Sequence, residues 1–136
     1  MKLGPFLSKN WMGQTESYKA SDIVMLGIPF DGTASYRPGS RFAPEMIRLA
    51  SWGLETYSPY FDTNLEDIKF HDVGDLELPL GNTCKSLEMI KENVEKIYSD
   101  KKRVFGIGGE HLITLPIIQG LSNFYKDIVV VHFAGN

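Results

Sequence analysis

The sequence predicts an α/β fold, a mainly parallel sheet with helices on its faces, and three observations carry that prediction. Apolar runs of strand length recur at 23–28, 104–107 and 128–133, joined by a more alternating run at 68–73. Between them, residues 83–100 and 114–124 repeat apolar side chains every three or four positions, as amphipathic helices do. Strands that alternate with helices need crossover connections, and crossovers produce parallel neighbours. At 136 residues the chain can bury a core and reads as part of one domain, residues 1–136.

Taken in order, residues 1–21 mix Gly, Ser and Asn with Phe6 and Trp11 and read as an arm lying on a surface. Ile23-Val24-Met25-Leu26-Gly27-Ile28 is continuously apolar, the pattern of a strand covered on both faces, and it stops at Pro29. Residues 29–43 form a long loop with Pro29, Gly32, Pro38 and Gly39 outside any period and with Arg37 and Arg41 along it. Pro44 and Glu45 suit the first turn of a short helix, whose buried face is expected from Met46, Ile47 and Ala50. Residues 53–67 read as irregular, with Tyr57, Tyr60 and Phe61 expected beneath the loop.

The 68–73 run predicts a strand near the sheet edge, ended by Gly74, with Asp72-Val73-Gly74-Asp75 as a turn. In 83–100, Leu87, Ile90, Val94 and Ile97 lie opposite Lys85, Glu88, Lys91, Glu92 and Glu95, the strongest amphipathic helix of the chain. A strand at 104–107, a helix at 114–124 and a β-branched strand at 128–133 complete the prediction.

A net charge of −3 and a pI near 5.6 argue against nucleic acid or an anionic membrane as a partner. The basic run Lys101-Lys102-Arg103 follows a helix, where cations favour the negative helix end. Cys84 is the single cysteine, so no disulfide forms within the chain, which suits a reduced cytoplasmic thiol. No run approaches the ~18 apolar residues of a membrane span, and the N-terminus lacks a signal-peptide apolar region. The expected location is the cytoplasm.

Chemistry concentrates at Gly106-Ile107-Gly108-Gly109-Glu110-His111, where a strand exits at glycines and delivers an acid and an imidazole. Ligands of α/β sheets bind at such exits. The dinucleotide fingerprint needs glycine where His111 stands, and the lysine and hydroxyl residue of a nucleoside triphosphate loop are missing. The remaining functional reading makes His111 a metal ligand, with Glu110 orienting it or a neighbour. His71 and His132 alternate within predicted strands and are adequately explained as satisfied sheet residues, and Asp72 and Asp75 as turn formers. No residue is assigned as catalytic.

Four stretches together resemble the ureohydrolases, the arginase and agmatinase family, in their N-terminal half: residues 27–44, Ile47-Arg48, Asp72-Val73-Gly74-Asp75, and Gly108-Gly109-Glu110-His111 with Thr114-Leu115-Pro116. The long loop is more similar to agmatinases than to arginases. The resemblance implies a three-layer α/β/α fold, homo-oligomers, and a binuclear Mn²⁺ site at the C-terminal strand ends that hydrolyses agmatine to urea and putrescine, a step of polyamine biosynthesis. Guanidinobutyrate, arginine or formiminoglutamate are alternative substrates of the same class. It makes His111 the first manganese ligand and gives Glu110 a supporting role behind it. It places Arg37 and Arg41 at the loop's basic positions, with pinning of the loop as their expected role, and it makes Asp72 and Asp75 structural.

The same resemblance calls for Asp-x-His-x-Asp after 128–133, where this sequence has Ala134-Gly135-Asn136. One imidazole and a neighbouring carboxylate cannot hold two divalent ions. The expectation is that these residues alone do not catalyse, and the alternative reading is a non-catalytic fragment or pseudo-enzyme.

Overall fold

The computed structural model describes residues 6–7, 10–14 and 16–133. Its described elements follow in the order β1 (Phe6–Leu7), β2 (Ile23–Ile28), α1 (Ala43–Ser51), β3 (Tyr57–Ser58), β4 (Thr63–Asn64), β5 (Phe70–Leu76), α2 (Thr83–Ser99), β6 (Arg103–Gly108) and α3 (Thr114–Ser122). The main sheet has the order β1-β5-β2-β6, parallel except for β1, which runs antiparallel to β5. β3 and β4 make a separate small hairpin. None of the described helices is long and apolar enough to cross a membrane.

Period-two geometry sends alternate side chains of β2 to opposite faces. Val24, Leu26 and Ile28 are fully buried and pack with Ile90, Val94 and Ile97 of α2, also fully buried. At about 1.5–3 kcal/mol for each such side chain, this seam is the main apolar contribution to the fold. Asn82 caps α2 by accepting a hydrogen bond from Lys85 N at 3.0 Å. On the other face Met25 packs with Phe70 and Ile107, and Gly27 meets α1.

α1 does not bury the face its apolar residues suggest. Met46 and Ile47 are 56% and 40% exposed and Ala50 is exposed, while Pro44, Arg48 and Ser51 face inward. The reason is electrostatic: Arg48, 2% exposed, donates from Nε to Asp72 Oδ2 at 2.6 Å and from Nη2 to Asp72 Oδ1 at 2.9 Å, and its Nη1 donates to Asp75 Oδ1. A buried guanidinium must be paired, and this demand overrides the apolar pattern.

The same contact corrects the reading of Asp72-Val73-Gly74-Asp75, which is not a turn. β5 runs through Gly74 to Leu76, and β1 and β2 flank it, so it is interior and not at an edge. Its register against β2 pairs Met25 with Asp72 and then Gly27 with Asp75, one extra residue on β5. This bulge turns Asp75 onto the face that already holds Asp72. Gly74 adopts φ 88°, a left-handed conformation that a side chain would strain. A Cβ at Gly27 would overlap Asp75 Oδ1 and stand 2.9 Å from Arg48 Nη2.

The N-terminal segment is more than an arm on a surface. Phe6–Leu7 joins the sheet as β1, Trp11 N donates to Asp72 Oδ2 at 2.9 Å, and Met12 N donates to Ser51 Oγ at 3.1 Å. Residues 1–5, 8, 9 and 15 lie outside the described residues.

Three further expectations change. Tyr57, Tyr60 and Phe61 are exposed around the β3–β4 hairpin and do not pack beneath the loop. Residues 128–133 form no strand, and Val129, Val131 and Phe133 are exposed. A β-rich run becomes a strand only when it reaches a partner, and among the described residues β6 pairs with β2 alone. Lys102 is buried and donates from Nζ to the carbonyls of Lys19, at 3.3 Å, and Ser21, so it ties the start of β2 and does not serve the helix end.

Asp72→Ala, which leaves the buried Arg48 with one carboxylate, is expected to lower the unfolding free energy by about 3–5 kcal/mol in urea titrations. A loss below about 1 kcal/mol contradicts the role given to this ion cluster.

Candidate functional site

The site forms where β2 and β6 leave the sheet at their C-terminal ends. Their parallel ladder reaches Ile28 and Gly108, then continues beyond both strands. Gly109 N donates to Ile28 O at 3.2 Å, and Glu110 N donates to Phe30 O at 2.9 Å. Backbone lies directly on backbone here: a Cβ at Gly109 would overlap the Phe30 carbonyl oxygen and stand 2.7 Å from its carbon. Glycine is the residue this crossing admits.

The Glu110 carboxylate reaches across to the loop after β2. Its Oε1 accepts Thr33 N at 3.1 Å and also accepts the Thr33 hydroxyl. His111 follows at once and opens a single 3₁₀ turn, His111–Ile113, with Ile113 buried beneath it. The His111 ring is exposed and lies edge-to-face with His132, centroids 5.9 Å apart and planes at 81°. The two imidazoles therefore meet at the crevice.

The β2 exit loop is closed by Asp31, which is 4% exposed. Its Oδ2 accepts Gly39 N at 2.6 Å and Arg41 N at 3.3 Å, and its Oδ1 pairs with Arg41 Nη2 at 2.5 Å. The bond from Arg41 holds the Asp31 carboxyl below its ordinary carboxylate range, with the two backbone donors acting the same way against burial. Arg41 thus pins the loop. Arg37 is exposed, with its guanidinium 5.1 Å from the Tyr36 ring centre. A cleft of about 130 Å³ opens beside this closure, between Phe30, Asp31, Arg41, Leu80 and Asn82.

Not every histidine joins the site. His71 lies near the opposite, N-terminal end of β5, its Nδ1 2.9 Å from Glu16 O and its ring edge-on to Tyr18, the satisfied sheet position expected of it. Asp72 and Asp75 face α1 and are committed to Arg48. The sequence reading missed Asp31 and Thr33 as organisers of the crevice and treated His132 as a sheet residue. A signal existed only for Asp31, an acid that begins a loop rich in Gly, Pro and Arg.

The donors present do not fit a pair of divalent ions. Among the described residues no group of three or more His, Cys, Asp or Glu is placed to hold a metal. The crevice offers the imidazoles of His111 and His132, while Asp31 is engaged by Arg41 and Glu110 by Thr33. Positions 134–136 lie outside the described residues.

Because Asp31 is acidified in the fold, its pair with Arg41 stabilises above the ordinary carboxylate pKa of about 3.9, and that stability is lost as pH falls through the lower folded value. The difference in urea midpoint between the parent and Arg41→Gln is expected to be constant above about pH 5 and to shrink steadily as the pH falls below about 4. A difference that grows as the pH falls contradicts the pairing.

Comparison with known proteins agrees with this architecture. The family model described as the arginase family matches residues 21–134. The agmatinase of Bacillus anthracis is 48% identical over 116 residues, which span 85% of this chain and 40% of that protein. The crystal structure of a Clostridium difficile protein assigned as an agmatinase superposes with a TM-score of 0.85 at 47% identity, covering 87% of this chain and 43% of that one. An agmatine ureohydrolase structure from Thermoplasma volcanium gives 0.78 at 30% identity, covering 90% and 46%. The chain thus spans less than half the length of these relatives. With its mainly parallel sheet, its flanking helices and its matched residues 21–134, the chain belongs to the arginase family.

Proposed function

We propose that residues 1–136 are the N-terminal part of a single agmatinase-type hydrolase domain. The observation that carries this reading is His111, presented at the C-terminal strand ends on a backbone crossing that only glycine permits, in a chain 48% identical to an agmatinase. In the proposed reaction water adds at the guanidinium carbon of agmatine, the bond from that carbon to the nitrogen carrying the alkyl chain breaks, that nitrogen takes up a proton from the added water, and urea and putrescine leave. Agmatine is preferred over guanidinobutyrate or arginine because four relatives 44–48% identical to the chain are agmatinases.

Manganese belongs to the proposal for the intact polypeptide, with His111 as one donor, since imidazole and carboxylate donors suit such an ion. The described residues do not complete that donor set, and no step is assigned to them beyond presenting His111 and closing the crevice wall. A cytoplasmic location and self-association are part of the same proposal. The exposed apolar residues Met46 and Leu49 of α1 and Trp52 just after it support burial against further polypeptide.

Urea release from agmatine by the intact polypeptide, supplied with Mn²⁺, is the test. The expected result is release from agmatine in preference to arginine, and none from residues 1–136 alone. Absence of release by the intact polypeptide from agmatine and from other guanidino compounds refutes the reading.

A further inference from the structure

We infer that Thr33 is a positioning residue for His111, acting through Glu110, and this inference rests on the agmatinase-type reading above. Thr33 is exposed and contributes nothing to the core, yet its amide and its hydroxyl both donate to one oxygen, Glu110 Oε1. Hydrogen bonds to an ionised acceptor are the stronger kind, and two donors converging on one oxygen fix its place.

Glu110 is thereby held from two sides. Its own N–H donates to Phe30 O, and its carboxylate is gripped three residues further along the same loop. With Gly109 pressed on the Phe30 backbone, residues 109 and 110 have little room to shift relative to the β2 exit. The backbone of Glu110 is extended, φ −88° and ψ 171°, and sends His111 outward as the first residue of the 3₁₀ turn. Ile113 anchors the far side of that turn in the core.

Thr33 is itself held in place. Ala34 N donates to Asp31 O at 3.3 Å, and Asp31 closes the loop onto Gly39 and Arg41. The closed loop is therefore a fixed point from which Thr33 reaches the carboxylate. Loss of the hydroxyl leaves one donor on Glu110 Oε1 and loosens the carboxylate side of the residue that precedes the imidazole, while its backbone stays on Phe30. An imidazole misplaced by a fraction of an ångström weakens turnover more than it weakens substrate capture.

The test uses the intact polypeptide, supplied with Mn²⁺ for kinetics and kept metal-free with ¹³C-labelled histidine for the ring correlations. Thr33→Val is expected to lower kcat for urea release from agmatine about 10- to 100-fold while KM changes by less than about twofold. Thr33→Ser, which keeps the hydroxyl, is expected to recover kcat to within about threefold of the parent. The ring correlations of His111 should move in Thr33→Val and return in Thr33→Ser, while those of the distant His71 hold still and report an intact fold. An unchanged kcat in Thr33→Val overturns the inference, and so does a lower kcat with unmoved His111 correlations. If the parent releases no urea, the functional reading fails separately and the His111 correlations alone decide whether Thr33 positions the ring.

Discussion

The guanidinium of Arg48, enclosed between Asp72 and Asp75, is the contact on which the rest of the structure depends. It sets which face of α1 turns inward, it requires the bulge that brings Asp75 beside Asp72, and it leaves space at Gly27 for no side chain. Asp72 also accepts from Trp11 N and Gly74 N, so the N-terminal segment and the bulge close onto the same carboxylate. A buried ion cluster of this kind contributes modestly to net stability but is costly to break, so it acts mainly by excluding other arrangements of α1 on the sheet.

From that anchored sheet, order passes to the crevice through backbone contacts. β2 lies between β5 and β6, so its exit is positioned by both neighbours. The ladder between β2 and β6 carries on past their ends to Phe30 and Glu110, the loop after β2 is closed by Asp31 and Arg41, and Thr33 joins the two exits. The imidazole of His111 is thus displayed by a frame whose parts are individually small and mutually dependent. α2 and α3 pack on the opposite face and leave the crevice to these loops.

Much of this was legible in the residues, for reasons that can be named. The period of Leu87, Ile90, Val94 and Ile97 locates α2, because a helix packed on a sheet has little choice about its apolar stripe. β2 was readable because a strand covered on both faces has no polar positions. Pairwise electrostatics was not readable: an aspartate beside glycine in Asp72-Val73-Gly74-Asp75 looks like a turn until the buried Arg48 is placed opposite it. Residues 128–133 have the composition of a strand, but pairing is a property of two segments and only one was in view. At the strand exits, the place of His111 after glycines is legible in the sequence, while the Thr33–Glu110 contact is not, because it joins residues 77 positions apart.

An arginase-family sheet here carries a crevice in which the imidazoles of His111 and His132 meet, with His111 proposed as a metal donor. The most direct test of this account is diffraction from crystals of the intact polypeptide grown with Mn²⁺, recorded at the manganese absorption edge. The account predicts an anomalous peak at bonding distance from a ring nitrogen of His111, with the Thr33–Glu110 and Asp31–Arg41 contacts retained. Manganese bound with His111 turned away from it, or no manganese at the C-terminal strand ends, contradicts it.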